Sequence, residues 1–239
     1  MKVLNDILGY KDLKLYQDPE YFCFSLDSVV LANYCKIRKR DANIVEFCSG
    51  NGVVSIIMSR RTNANILGVE IQKKLYDMAN ESLEYNNLTD RITFINDDIK
   101  NFVKDKDNYV DLIVCNPPYF KYDESNKIND SIEKQIARHE LCINIDEICS
   151  CASKILKDNG KLCIVHRTDR FTDVYDAMKK YRIEPKRINN DTFPYELAKS
   201  PESYIISVSF SFSLYSKSLL ISTNSILSLL RFLSHTKLE

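Results

Sequence analysis

From residue 43 onward the chain alternates short apolar runs with amphipathic stretches, and nothing else in it restricts the fold as strongly. Asn43-Ile44-Val45-Glu46-Phe47 reads as a strand that enters Cys48-Ser49-Gly50-Asn51-Gly52, and the helix Val53–Arg61 follows. Strand Asn65–Glu70 comes next, then a helix from Gln72 to about Asn87 in which Leu75, Met78, Ala79 and Leu83 form an apolar stripe at helical spacing. Strand Ile92–Ile95, the pair Asp97-Asp98, a short helix and the strand Leu112-Ile113-Val114-Cys115 continue the pattern. After a polar loop come a helix around Ile145–Leu156, an Asp158-Asn159-Gly160 turn, strand Lys161–His166 and helix Asp169–Tyr181. Strands joined through helices at this spacing lie parallel with right-handed crossovers. The expectation is an α/β fold, a doubly wound, mostly parallel sheet with helices on both faces.

The ends of the chain read differently. Residues 1–24 scatter Tyr10, Tyr16, Tyr21, Phe22 and Phe24 among polar residues and suggest a short N-terminal extension. Ser25 or Asp27 would cap a helix through Val29-Val30-Leu31-Ala32, ending in the cations Lys36-Ile37-Arg38-Lys39-Arg40. Tyr204–Phe210 offers a final strand, and Ser213–Leu233 alternates serine with leucine and isoleucine without a helix cap or turn glycine. The expected organisation is therefore a cap at 1–42, one main domain at 43–212 and a divergent tail at 213–239.

Composition excludes some functions. With 33 basic and 33 acidic residues the chain is no strongly basic nucleic-acid binder, although a local basic face stays open. Lys161–Arg187 holds eight Lys and Arg against four Asp and Glu, which suits either a phosphate-facing patch or an ordinary solvated helix face. The eight cysteines lack zinc-site spacing and several sit in apolar runs, so reduced core thiols in a cytoplasmic protein, with no metal, are expected. The start has no apolar secretory region, and the apolar runs of the main body are too short to span a bilayer.

Asn116-Pro117-Pro118-Tyr119 follows an apolar strand and places a side-chain amide and a ring at a sheet's carboxyl edge, where open α/β folds bind ligands. The prolines fix φ and remove two backbone donors. The alternative is a turn that merely ends a strand. Ser49-Gly50-Asn51-Gly52 would let a ligand approach backbone near a helix N-terminus, yet Ser55 stands where a dinucleotide fingerprint has its third glycine. A tight turn is the alternative there. Glu46, inside a strand, costs desolvation unless it binds something. Glu70, with Ile71 after it, ends the second strand and would accept ribose hydroxyls, or else be a solvated glutamate. Asp97-Asp98 would accept from an adenine amine, or cap the next helix.

Taken in order, the glycine loop, Glu70, Asp97-Asp98 and Asn116-Pro117-Pro118-Tyr119 resemble the motifs of class I S-adenosylmethionine-dependent methyltransferases, over about Gln17 to Tyr204. That resemblance implies a Rossmann-like, seven-stranded sheet and S-adenosylmethionine as cofactor, with S-adenosylhomocysteine as product. It assigns Glu46, Ser49, Gly50, Asn51, Gly52, Glu70, Ile71, Asp97, Asp98 and Asn116 to the cofactor. Asn116, Pro117, Pro118 and Tyr119 become the catalytic tetrapeptide: the Asn116 oxygen and Pro117 carbonyl accept from a target amine, and Tyr119 stacks on the base. Leu8-Gly9-Tyr10-Lys11, Gln17, Phe24-Ser25-Leu26-Asp27-Ser28, Ala137-Arg138-His139-Glu140, Val165-His166-Arg167 and Tyr181–Arg187 are similar to the bacterial tRNA adenine-N6 methyltransferases, which modify adenine-37 of a valine tRNA. This narrower likeness implies that Gln17, Phe24, Ser25 and Asp27 cover the cofactor. It makes Arg138, His139 and Arg167 candidates for substrate contact, with tRNA as partner, no obligate protein partner, and a monomer or weak dimer. After Arg187 the sequence departs from that family. Methylation of a protein glutamine, as in release-factor methyltransferases, is one alternative; those enzymes carry a helical domain ahead of the glycine loop. Others are another RNA or DNA amino-methyltransferase, and nucleotide binding without catalysis.

Overall fold

The structure, a computed structural model, describes residues 1–21, 23–121, 136, 140–191 and 205–211, with the side chains of 189–191 and 205–211 excepted. The tail at 213–239, Arg138 and His139 lie outside the described residues.

The first residues form an antiparallel hairpin of β1 (Val3–Ile7) and β2 (Tyr10–Gln17). Their mixed composition carried no strand expectation, but β2 buries Leu13, Leu15 and Gln17 at every second position. The hairpin joins the main body through helix α3 (Lys73–Asn86). Lys14 N–H donates to Asn86 Oδ1 (3.0 Å) and Tyr16 N–H to Ser82 Oγ (2.9 Å). Helix α1 (Leu26–Tyr34) starts after Ser25, whose side chain makes no capping bond, and stops before the basic run expected to end it. The reason is Asp41, which is buried and recruits Arg38 (2.7 Å) and Lys161 (3.0 Å) into the base of the sheet.

The strands β3 (Asn43–Phe47), β4 (Asn65–Glu70), β5 (Ile92–Asn96), β6 (Val110–Cys115), β7 (Leu156–Arg167), β8 (Glu184–Asp191) and β9 (Ile205–Ser211) form one seven-stranded sheet. Their order is β5-β4-β3-β6-β7-β9-β8, and β9 alone runs against the others. The parallel expectation holds, and β8 is a strand the sequence did not announce. Central β3 and β6 are buried on both faces, hence their near-continuous apolar sequences; edge strand β5 alternates instead. Leu156 pairs with Val110 and Lys161 with Leu112, so residues 157–160 bulge from β7 at the expected turn, with Asn159 at φ +60°.

Helices α1, α2 (Val53–Met58) and α3 (Lys73–Asn86) share one core with the hairpin. Helices α4 (Ile99–Phe102), α5 (Ile145–Ile155) and α6 (Phe171–Lys180) build the core of the opposite face. Helix α2 ends three residues before the expected Arg61, and a 3-10 turn, Thr168–Arg170, replaces the expected first turn of α6. Among the described residues no helix is long and apolar enough to cross a membrane. All eight cysteines are free thiols, five of them buried.

Candidate active site

At the carboxyl edge of the sheet the strand order turns back on itself, with β4 on one side of β3 and β6 on the other. Ligands of doubly wound sheets bind at such a point. A cleft lies there, with Glu46, Glu70, Asp97 and Asn116 in its lining.

One wall is the loop after β3. Gly50 (φ +54°) and Gly52 (φ +83°) both take left-handed backbone, for different purposes. A Cβ on Gly50, which lines the cleft, would meet nothing within 4 Å, so bare backbone faces the ligand space. A Cβ on Gly52 would stand 2.4 Å from the Phe94 ring, so this glycine seats a core aromatic. Ser55, where a third glycine was sought, is buried and binds Glu46 through its N–H (3.0 Å) and its hydroxyl. That contact accounts for a carboxyl within a strand. Burial, aided by the nearby Glu70, pushes the Glu46 carboxyl up to about 8, so it carries a proton at neutral pH.

Glu70 is buried at the end of β4 and accepts from Gly50 N–H (2.7 Å) and Gln72 N–H (2.8 Å). Burial raises its pKa and the amide donors oppose the rise. Each carboxyl oxygen keeps a lone pair for a further donor. Asp97 accepts from Asp98 N–H (2.8 Å), while Asp98 caps α4 by accepting from Lys100 N–H (2.8 Å). Both aspartates line the cleft, so capping and ligand contact coexist. Three cleft atoms, Ser49 Oγ, Asn51 Nδ2 and Gln72 Oε1, are buried without a hydrogen-bond partner. Unmet polar atoms beside acidic strand ends and apolar walls of Val54 and Leu75 fit a polar ligand that carries a flat ring.

Across the cleft, β6 delivers Asn116. Its Nδ2 donates to Ser28 Oγ (2.9 Å), and its Oδ1 lies 2.6 Å from the Tyr119 hydroxyl, which also contacts Asp27 Oδ2 (2.8 Å). The Tyr119 ring leans on His166, with centroids 5.3 Å apart. His166 Nδ1 accepts from Arg167 N–H (2.9 Å), and burial pushes its pKa down to about 4, so it is neutral. Arg170 holds the segment that follows. It donates to the Tyr119 carbonyl (2.9 Å) and pairs with Glu140 (2.9 Å), whose own N–H reaches the Phe120 carbonyl (2.8 Å).

Among the residues singled out in the sequence, Phe24, Glu46, Ser49, Gly50, Asn51, Glu70, Ile71, Asp97, Asp98, Asn116 and Pro118 line this one cleft. Gln17, Ser25, Asp27, Gly52, Pro117, Tyr119 and Arg167 do not. Gln17 instead accepts from Phe24 N–H (3.0 Å) and supports that wall. Arg167 pairs with Asp169 (2.9 Å) and lies 5.0 Å from the Phe120 ring, beside the tetrapeptide. Sequence reasoning assigned no role to Ser28, Gln72, Cys142 and Ile143 in the wall, or to Arg170 behind Tyr119. Gln72 stands two residues after Glu70 and carried a usable signal; the apolar wall reads as ordinary core.

Among relatives of this chain, the tRNA1(Val) (adenine(37)-N6)-methyltransferase of Flavobacterium psychrophilum is 26% identical over 186 residues, 76% of this chain and 78% of its own. The Phocaeicola vulgatus protein of the same name is 26% identical over 208 residues, 87% of this chain and 85% of its own. Two solved structures share the fold. Pyrococcus horikoshii TYW2, in complex with MeSAdo, has TM-score 0.61 at 15% identity, covering 88% of this chain and 70% of that one. Geranyl diphosphate C-methyltransferase from Streptomyces coelicolor has TM-score 0.57 at 14% identity, covering 77% and 79%. The methyltransferase small domain matches residues 16–186, most of the length and both walls of the cleft, and the chain belongs to that family.

Proposed function

We propose that this chain transfers a methyl group from S-adenosylmethionine to the exocyclic N6 amine of an adenine in tRNA, adenine-37 of a valine tRNA. The observation that carries the reading is the placement of Asn116 and Pro118 of the tetrapeptide in the same cleft as Gly50 and Glu70. The names of the relatives support the choice of acceptor. The unpaired Ser49, Asn51 and Gln72 atoms and the open face of Gly50 support a nucleoside-bearing cofactor.

In this reading Glu70 takes the ribose hydroxyls and Asp97-Asp98 the adenine amine of the cofactor. Phe24, Ile71 and the remaining loop residues enclose it. S-adenosylmethionine supplies a sulfonium methyl, so that forming the N–C bond breaks the S–C bond and leaves the thioether S-adenosylhomocysteine. The chain's own work is orientation and exclusion of water. Asn116 Oδ1 and the Pro117 carbonyl accept the two N6 protons and aim the nitrogen lone pair, Tyr119 stacks on the base, and the surplus proton leaves after transfer. Arg167, Arg138 and His139 are assigned to the tRNA. Residues 43–212 act as the catalytic domain, with the start of α1 reaching the cofactor side from the cap at 1–42, and the reaction takes place in the cytoplasm.

The test is tritium transfer from labelled S-adenosylmethionine to unmodified total tRNA, with nucleoside analysis of the product. N6-methyladenosine is expected, and it is lost in Asn116→Ala while cofactor affinity stays within about threefold. Label entering a release factor but not tRNA overturns the reading.

A further inference from the structure

The amide of Asn116 is held from two sides, and its holders count protons. Nδ2 donates to Ser28 Oγ (2.9 Å). Oδ1 lies 2.6 Å from the Tyr119 hydroxyl, and that hydroxyl lies 2.8 Å from Asp27 Oδ2. Three oxygens joined by two contacts of hydrogen-bonding length need two protons, and Tyr119 owns one. If Tyr119 donates to Asn116 Oδ1, the second proton sits on Asp27, which then donates to the phenol oxygen. Burial favours this state, since it raises the Asp27 carboxyl above its ordinary range.

The ionised state has a different geometry. A charged Asp27 would claim the Tyr119 proton and leave two bare oxygens facing each other at 2.6 Å. The amide would then turn over, with Nδ2 toward the phenol oxygen and Oδ1 toward the Ser28 hydroxyl. A carboxyl on α1 therefore decides which way the amide at the end of β6 faces.

We propose that Asp27, as an uncharged hydrogen-bond donor acting through Tyr119, and Ser28 are positioning residues that set the orientation of the Asn116 amide. The inference rests on the reading of Asn116 as the group that meets the acceptor amine. Neither Asp27 nor the Tyr119 hydroxyl needs to touch the cofactor for this role, which agrees with the absence of both residues from the cleft lining.

The test uses the full chain with S-adenosylmethionine and tRNA. Asp27→Asn keeps a donor toward the phenol oxygen, so kcat stays within about threefold of the parent. Asp27→Ala removes it, and kcat falls about 10- to 100-fold while the KM for the cofactor moves less than about threefold. Tyr119→Phe gives a comparable loss, and Asp27→Ala adds nothing in that background, because the effect travels through the hydroxyl. Equal loss in Asp27→Asn and Asp27→Ala would mean that the charge is needed, and fully additive losses would mean that the hydroxyl is no link; either overturns the proposal. A second readout needs no acceptor. The side-chain amide resonances of Asn116 in the 15N-labelled protein should match between parent and Asp27→Asn and shift in Asp27→Ala and Tyr119→Phe. Those shifts without tRNA methylation by the parent would sink the function and leave the clamp standing. Unshifted amide resonances would sink the clamp even in an active tRNA methyltransferase.

Discussion

Gly50 and Gly52 belong to one loop and one motif, yet the structure gives their substitution different consequences. At Gly52, alanine must adopt φ +83°, a backbone state that costs an L-residue about 1–2 kcal/mol. Its Cβ must also enter space held by Phe94, whose ring atoms lie 2.4 and 2.9 Å from the ideal position. Phe94 is 3% exposed, and Gly68 closes on the same ring from β4, with an ideal Cβ only 2.3 Å from it. The ring has nowhere to retreat. Overpacking of this kind costs about 1–3 kcal/mol, so Gly52→Ala should lose about 2–5 kcal/mol in all. With a urea slope of about 2 kcal/mol/M, the unfolding midpoint should fall by about 1–2.5 M with the slope unchanged. Phe94→Leu, added to Gly52→Ala, should recover the steric part and leave the backbone part. Gly50→Ala carries the strain alone, about 1–2 kcal/mol, and should instead weaken cofactor binding, since its new methyl stands at the cleft. Equilibrium urea unfolding and calorimetric titration of the parent and the variants decide the matter. A Gly52→Ala midpoint within about 0.3 M of the parent would refute the seat assigned to Phe94.

Two more outcomes follow from the same wall. Glu70→Ala should weaken cofactor binding by about 10- to 100-fold in calorimetry, the usual scale for hydrogen bonds to a charged group, and unchanged affinity would remove Glu70 from the ribose role. Glu46 titrates at about 8 when folded against 4.5 in its ordinary state, so the folded chain binds more protons between these values and loses stability as pH rises through them. His166, lowered from 6.5 to about 4, acts in the opposite sense and costs stability as pH falls through that window. Above pH 6.5 the fall is shared by the buried carboxyls raised in the folded chain, Glu46, Glu70 and Asp27, and Glu46→Gln should make the fall in unfolding free energy seen there by denaturant titration shallower without abolishing it.

The parallel core of the sheet was legible in the sequence because central strands are buried on both faces and admit little but apolar residues. The Leu75 helix was legible because one-sided burial imposes a helical period, whereas the Val53 helix is buried all round and was legible from its place after the glycine loop. Candidate site residues at strand ends were legible for a related reason: Glu70, Asp97 and Asn116 are polar groups set where an apolar run stops, and topology brings strand ends together. The hairpin was not legible, since β2 buries alternate residues against a helix distant in sequence and its exposed half is mixed. Strand β8 escaped because its charged sequence, Glu184 to Asp191, has no apolar run; its pairing with β9 makes it a strand.

The site divides along the same line. That Gly50, Glu70 and Asn116 line one cleft could be argued from order along the chain, because a doubly wound sheet leaves such residues few other places to be. The separate purposes of Gly50 and Gly52, the proton on Glu46, the grip of Arg170 on the tetrapeptide and the link from Asp27 to Asn116 depend on distances between residues far apart in sequence. Local sequence specifies which groups are present and which way a strand or helix faces. Only packing decides which buried polar group finds which partner, and so which of them remain for a ligand.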